Sequence, residues 1–119
     1  MIKTFDDLLA SHCRPLEGGS ALGDDAVRSQ LKEVPDWTTD GQRISRTYRF
    51  ANYAQTVAFV NAIAWMIHRE DHHPELVVTY DKVEVRFDTH SVGGISDNDF
   101  ICAAKCDAIH ADRPTAISA

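Results

Sequence analysis

Long apolar runs are missing from this sequence, and without them a helix cannot cross a membrane. No uninterrupted stretch approaches the roughly 18 apolar residues that a membrane-spanning helix needs. The opening segment, MIKTFDD, carries acids early and lacks the basic and apolar regions of a secretory signal. We therefore expect a cytoplasmic protein with no membrane partner.

Basic charge is also in short supply. The chain has 12 lysines and arginines against 18 aspartates and glutamates, which gives a formal net charge of -6. Proteins that bind nucleic acids directly usually present a basic face, and anionic membranes attract polybasic segments. The charge balance therefore argues against both kinds of partner.

Cysteine is scarce, with Cys13, Cys102 and Cys106 as its three occurrences. An odd number in a chain without a secretory signal does not indicate a disulfide framework. Cys102 and Cys106 lie four positions apart on a predicted helix and could share a metal with a histidine. Buried thiols packed as small apolar groups are far more common, so we favour that interpretation.

The length and the apolar content of the chain are sufficient for one domain. The chain has 119 residues, of which 44% are apolar and 25% are charged, as in an ordinary soluble globular protein. Residues 1–23 are rich in glycine and contain Pro15, so we interpret them as an N-terminal arm. A short helix from Phe5 to Cys13 fits within it. Residues 24–114 would form the domain and 115–119 a C-terminal tail.

Hydrophobic periodicity predicts helices and hairpins in alternation. The predicted elements are a helix from Asp24 to Val34, a hairpin from Trp37 to Phe50, a helix from Tyr53 to Glu70, a hairpin from Leu76 to Phe87 and a helix from Asp97 to Ala111. Hairpins separated by helices favour an α+β fold of two layers, in which helices cover one face of an antiparallel sheet.

The central predicted helix, from Tyr53 to Glu70, is apolar over most of its circumference. A helix on the surface of a monomer needs only one apolar face. A small domain cannot cover so wide an apolar surface by itself. We therefore expect part of this helix to contact another subunit.

Asp40-Gly41 is a strong turn signal in the first hairpin. With these two residues as the loop, Trp37 lies opposite Ile44, and we interpret Trp37 first as a core residue. Its indole could alternatively form the floor under a flat heterocyclic ligand.

In the second hairpin, Asp81-Lys82 is the natural two-residue loop. This choice places Tyr80 opposite Val83, on the apolar face of the sheet, and we therefore expect Tyr80 in the core. The same register places Glu75 opposite Asp88, an unfavourable pair of like charges. The ladder would then fray near Glu75.

Four of the six histidines lie close together in the sequence, at His68, His72, His73 and His90. Continuation of the second hairpin's register places His73 opposite His90. His68 and His72 share a helical face if the central helix extends that far. The end of the helix and the ends of the strands would then bring His72, His73 and His90 to one edge of the sheet. Histidine suits proton transfer near neutral pH.

Zinc is the main chemical alternative for this cluster, because His68 and His72 have the spacing of metalloprotease histidines. Those motifs place a glutamate beside one histidine, whereas this chain has Arg69 and Asp71 at the equivalent positions. We therefore predict no metal site. Glu70 and Asp71 are most simply solvated acids at a helix end.

Asp99 has a simple structural interpretation. It follows Ser96 by three positions, where an acid completes a capping box at the start of a helix. From the pattern alone we favour this capping role over a catalytic one.

The combined pattern resembles the pterin-4a-carbinolamine dehydratase family. The resemblance rests on the run His72-His73-Pro74, an aromatic residue at Tyr80, His90 and Asp99, and it covers roughly residues 24–112. Trp37 and the segment Gly94-x-Ser96-x-x-Asp99 also fall where the family has equivalents. Many members have an acid at the position of His68, which is a departure in this chain.

The resemblance implies a four-stranded antiparallel sheet with three helices on one side, assembled as a homodimer or homotetramer. It implies a hydro-lyase that dehydrates 4a-hydroxytetrahydrobiopterin to the quinonoid dihydropterin and so recycles the cofactor of aromatic amino acid hydroxylases. The pterin is the substrate, and no further cofactor is implied.

The implied catalytic residues are His72, His73 and His90, with supporting roles for His68, Asp99, Trp37 and Pro74. On this basis His72 and His90 handle protons at the 4a-hydroxyl, and His73 positions the pterin ring. Two alternatives stay open: a non-catalytic binding or dimerisation-cofactor module, and a dehydratase of another pterin, related to molybdopterin.

Overall fold

A computed structural model describes residues 2–112, so the predicted domain end at residue 114 and the tail 115–119 lie outside the described residues. The elements in chain order are α1 (Phe5–Ala10), α2 (Asp24–Leu31), β1 (Thr38–Thr39), β2 (Ile44–Arg49), α3 (Tyr53–Glu70), β3 (Glu75–Val78), β4 (Lys82–Phe87), a 3₁₀ turn (His90–Val92) and α4 (Asp97–Ala111). The strands form one antiparallel sheet in the order β1-β2-β4-β3. The predicted α+β fold is confirmed, with α1 as an additional short helix.

Strand β4 shows why one face of the sheet is covered. Its alternate residues Val83, Val85 and Phe87 are fully buried, while the intervening side chains are half-buried. Successive side chains of a strand point to opposite faces, so the core lies on one side of the sheet, against the helices. Helices α3 and α4 pack on each other within this layer.

The bounds of α3 and α4 agree with the predicted bounds because local capping fixes their starts. The Asn52 side chain accepts the backbone N–H of Gln55 at 2.9 Å, and Ser96 and Asp99 form a complete capping box. Among the helices in residues 2–112, none combines the length and hydropathy of a membrane span.

The predicted loop of the first hairpin is wrong by one position. Thr39 pairs with Ile44 and Thr38 with Ser45, so the loop is centred on Gly41-Gln42. Gly41 adopts a φ of 95°, which a glycine tolerates and which suits the first position of a tight hairpin loop. As a consequence, Trp37 does not lie opposite Ile44.

The second hairpin is also displaced from its predicted register, in the other direction. Val78 pairs with Val83 and Glu75 with Arg86, which centres the loop on Tyr80-Asp81. The observed register replaces the unfavourable Glu75–Asp88 pair with an ion pair of 2.9 Å between Glu75 and Arg86. Hydrogen bonding to Arg86 lowers the pKa of the Glu75 carboxyl.

Two expectations fail with this register. Tyr80 is not a core residue: it lies in the loop, its side chain is 64% exposed, and its ring stacks on that of Tyr53 with centroids 6.5 Å apart. His73 does not pair with His90, because the β3–β4 ladder begins at Glu75. Moving the loop by one position shifts the strand pairing by two residues, which keeps the paired side chains of β3 and β4 on their predicted faces.

The N-terminal segment is folded onto the domain. Helix α1 is shorter than the predicted segment from Phe5 to Cys13, yet Leu8 is fully buried in the main core. The Lys105 ammonium of α4 donates a hydrogen bond of 2.8 Å to the Leu9 carbonyl. Residues before Asp24 therefore contribute to the same core as the sheet.

Candidate active site

Asp99 is the centre of a buried polar cluster at the start of α4. Its side chain is completely buried. One carboxylate oxygen, Oδ2, accepts the backbone N–H of Ser96 at 2.8 Å and the hydroxyl of Thr89 at 2.9 Å. The other oxygen, Oδ1, lies 2.6 Å from Nε2 of His72. Asp99 therefore caps its helix, as predicted, and also orients a histidine.

The His72 imidazole is fixed from two directions. Its side chain is only 13% exposed, and its ring lies nearly parallel to that of Phe87, with a 9° interplanar angle and centroids 5.9 Å apart. Because a carboxylate accepts the proton on Nε2, the lone pair of the neutral ring resides on Nδ1. His72 can therefore take up or deliver a proton through Nδ1 while Asp99 holds the ring.

The end of α3 determines which histidines can act together. The helix ends at Glu70, and Asp71 adopts the left-handed conformation with φ 53° and ψ 42°. His68 and His72 therefore do not share a helical face, and this expectation is wrong. His68 lies exposed on the last turn of α3, where its ring meets that of Trp65 at a centroid distance of 6.3 Å.

His73 and His90 are both exposed, and each is adjacent in the chain to a residue of the Asp99 cluster. His73 follows His72, and His90 follows Thr89, whose hydroxyl donates to Asp99. His90 is also the first residue of the 3₁₀ turn, and an isolated bridge between Thr89 and Gly94 flanks this turn. Both histidines are therefore linked to the His72–Asp99 pair by adjacent residues in the chain, and the predicted pairing of His73 with His90 across the strands is absent.

Trp37 is buried to 3% exposure, as its first interpretation predicted. Its indole N–H donates to the Asp107 carboxylate at 3.0 Å, and its ring packs on Phe87 at 5.9 Å. Phe87 thus separates Trp37 from His72. Trp37 has little surface to offer a ligand directly and supports His72 through Phe87. Pro74 is half-buried between His73 and β3.

Among residues 2–112, the histidines, cysteines and acids form no group of three arranged to hold a metal ion. Cys102 and Cys106 are fully buried in α4. The Cys102 sulfur lies 3.5 Å from that of Cys13, and this hydrogen bond together with burial raises the pKa of the Cys102 thiol. Burial likewise raises the pKa of Cys106. Thiols held protonated in this way are poor metal ligands.

Glu70 is not the solvated acid that its position at a helix end suggested. It is 8% exposed, and its carboxylate contacts Nδ1 of His12 at 2.9 Å and the backbone N–H of Cys13 at 2.8 Å. Burial by itself would raise the pKa of this carboxyl. The hydrogen bonds from Cys13 and His12 and the charge of Lys105 outweigh burial and lower the pKa below its ordinary value of 4.5.

Sequence reasoning missed three contributors to this region. Thr89, Phe87 and Glu70 each have an ordinary local interpretation, as a strand-end residue, a core residue and a surface acid. Only Phe87 carried a usable signal, since its burial was predicted by alternation in β4. The contacts of Thr89 with Asp99 and of Glu70 with His12 span 10 and 58 positions of the chain.

Comparison with known proteins gives a consistent result. A family model described as Pterin 4 alpha carbinolamine dehydratase matches residues 20–109. The chain is 52% identical over 107 residues to a protein of Dechloromonas aromatica, covering 89% of this chain and 96% of that protein. It is 46% identical over 110 residues to a protein of Nitrosospira multiformis, covering 92% and 97%. Both relatives are provisionally named pterin-4-alpha-carbinolamine dehydratases.

Solved structures include a similar fold. A crystal structure of a transcriptional coactivator/pterin dehydratase from Brucella melitensis matches with a TM-score of 0.72 at 29% identity. The match covers 76% of this chain and 98% of the Brucella chain.

Proposed function

The chain belongs to the pterin-4a-carbinolamine dehydratase family, and on that premise we propose that it dehydrates 4a-hydroxytetrahydrobiopterin to the quinonoid dihydropterin. The observation that best supports a working catalyst is the buried contact of 2.6 Å between His72 and Asp99. A carboxylate that orients an imidazole is a recurrent device of general acid–base catalysis.

The reaction needs two proton transfers. The bond between C4a and the hydroxyl oxygen breaks, a proton reaches the departing hydroxyl to form water, and the proton on N5 is removed. The dihydropterin product and the released water together have the same oxidation level as the substrate, so no electron donor or acceptor takes part. His72, acting through Nδ1, and His90 carry these protons, and His73 positions the pterin ring.

The proposed product is the oxidised pterin that a reductase returns to the tetrahydro form used by aromatic amino acid hydroxylases. We therefore propose a functional coupling to such a hydroxylase, in the cytoplasm. The name of the Brucella protein, which combines coactivator and dehydratase, supports a binding or dimerisation-cofactor module as the second candidate. A related dehydratase acting on another pterin, such as one related to molybdopterin, is the remaining alternative.

A stopped-flow absorbance assay tests the proposed function. Phenylalanine hydroxylase generates the 4a-hydroxypterin, and its ultraviolet decay is followed with and without this protein. We expect the decay to accelerate in proportion to the protein concentration. A folded protein that leaves the decay rate unchanged would contradict the dehydratase assignment for this pterin.

Exposed apolar side chains on α3 support self-association. Trp65 is 68% exposed on this helix, and Tyr53 is 52% exposed and stacks on Tyr80. Large apolar side chains left exposed in this way are typical of an interaction surface when they form a patch. We propose that α3 contacts another copy of the chain in a homodimer or homotetramer.

Replacement of Trp65 by arginine is expected to weaken this association. Loss of a central tryptophan from an interface typically costs about 2 kcal/mol or more, which is roughly a thirtyfold weaker association. Light scattering at micromolar concentration should give a multiple of 13.3 kDa for the wild type and a lower mass for the variant. Gln42→Arg, at an exposed loop position, controls for the added charge. A wild-type mass of 13.3 kDa would refute the oligomer.

A further inference from the structure

The carboxylate of Glu70 connects three separate parts of the chain. Glu70 is the last residue of α3. Its carboxylate contacts His12 and the backbone N–H of Cys13 in the N-terminal segment. It also lies 3.7 Å from the Lys105 ammonium of α4, whose side chain is 14% exposed. A buried acid surrounded in this way fixes the end of α3 in space.

Only Asp71 separates this anchor from His72. Asp71 is the one non-glycine residue with positive φ among residues 2–112. Such a conformation costs on the order of 1 kcal/mol or more and persists where the surrounding structure holds it. Glu70 holds the chain on one side of Asp71, and the His72–Asp99 contact holds it on the other. The change of chain direction at Asp71, which places His72, therefore depends on the Glu70 contacts on one side and on the His72–Asp99 contact on the other.

The N-terminal segment, which supplies two of the three partners of the Glu70 carboxylate, is itself held on the domain by further contacts. The Asn98 side chain accepts the backbone N–H of Arg14 at 3.1 Å and donates to the Arg14 carbonyl at 2.7 Å. The Cys13 sulfur lies 3.5 Å from the Cys102 sulfur and 3.6 Å from the backbone carbonyl oxygen of Asn98. Residues 12–14 precede the segment 20–109 that matches the family model, so the anchor joins that segment to the part of the chain before it.

We propose that Glu70 is a positioning residue: His12 and Cys13 of the N-terminal segment and Lys105 of α4 hold its carboxylate, and this anchor sets the place of His72. His72 carries the chemistry, and Glu70 acts only through it. As a statement about catalysis, the inference rests on the proposed dehydratase activity. As a statement about the position of the His72 ring, it does not.

Two variants of Glu70 in the full-length chain test the proposal. Glu70→Ala removes every contact of the carboxylate, and Glu70→Gln keeps the shape and the contact with Cys13 but removes the charge opposite Lys105. Small displacements of a reacting group can cost up to about a hundredfold in rate. We expect Glu70→Ala to lower kcat roughly ten- to a hundredfold with KM changed less than about twofold. Glu70→Gln should show a smaller loss of kcat.

A readout independent of catalysis follows the His72 ring by nuclear magnetic resonance. The ring resonances of His72 should shift in Glu70→Ala and stay near their wild-type positions in Glu17→Ala, which changes an exposed acid of the N-terminal segment. If Glu70→Ala fails to fold, His12→Ala replaces it in this comparison. It removes one partner of the Glu70 carboxylate, and because the His12 side chain is 79% exposed, the substitution leaves the core unchanged.

The outcomes separate the proposals. A lower melting temperature with unchanged kcat and unchanged His72 resonances would show a purely structural role and overturn the inference. A wild-type protein without dehydratase activity would refute the proposed function, while the His72 resonances in the Glu70 variants would still decide the positioning role.

Discussion

Replacement of His72 by alanine is expected to slow dehydration by about 10²–10⁴-fold, the usual contribution of a general acid or base. The physical reason is that Nε2 is bound to Asp99, which leaves Nδ1 as the ring atom that can exchange a proton with the substrate. The stopped-flow decay of the 4a-hydroxypterin measures the effect, with the hydroxylase held constant.

A second variant separates chemistry from packing at this position. His72→Gln places an amide N–H near the former Nε2 and can still donate to Asp99, but it cannot exchange a proton near neutral pH. We expect it to be as slow as His72→Ala and closer to the wild type in melting temperature. Gln42→Ala, at an exposed loop position, serves as the matched control. A wild-type rate in either His72 variant would refute the acid–base assignment.

Replacement of Asp99 by asparagine is expected to slow the reaction by a similar factor, about 10²–10⁴, as for other histidines oriented by a carboxylate. Oδ2 of Asp99 accepts the Ser96 N–H and the Thr89 hydroxyl, so the amide oxygen of the variant takes that place. The amide NH₂ then faces His72, which must accept at Nε2 and carry its proton on Nδ1. Nδ1 of His72 then has no lone pair with which to accept a proton from the substrate.

The matched control for this variant is Asp97→Asn, which changes an exposed acid of the same helical turn. Rates, melting temperatures and the nitrogen resonances of the His72 ring identify the effect. We expect the tautomer of His72 to change in Asp99→Asn only. A slow Asp99→Asn variant with the wild-type tautomer would contradict this account and leave the helix cap as the sole role of Asp99.

The structure shows why the sequence predicted some features and not others. The bounds of α3 and α4 depend on caps such as Asn52–Gln55 and Ser96–Asp99, whose partners lie three positions apart. Such signals are local and can be identified in a sequence. The hairpin loops depend on a choice between adjacent two-residue turns. In each hairpin that choice was wrong by one position. In the second hairpin, the turn residues alone do not include the Glu75–Arg86 pair.

Asp99 illustrates an overlap that sequence alone does not resolve. The capping interpretation and the catalytic interpretation appeared as alternatives, because each accounts for an acid at that position. In the folded chain the two carboxylate oxygens divide the roles, with Oδ2 on the cap and Oδ1 on His72. A bidentate group can satisfy both, and only the packing of α4 against the turn after α3 brings His72 within reach.

By itself the sequence determined the α+β class, the three main helices, the buried face of β4 and the family, because each rests on periodicity, capping or a motif with short spacing. The tertiary structure alone decided the strand registers, the burial of Glu70, the exposure of Tyr80 and the contact that orients His72. These features depend on the free energy of contacts between residues far apart in the chain. A local pattern records which side chains are available for such contacts, and folding of the whole chain selects among them.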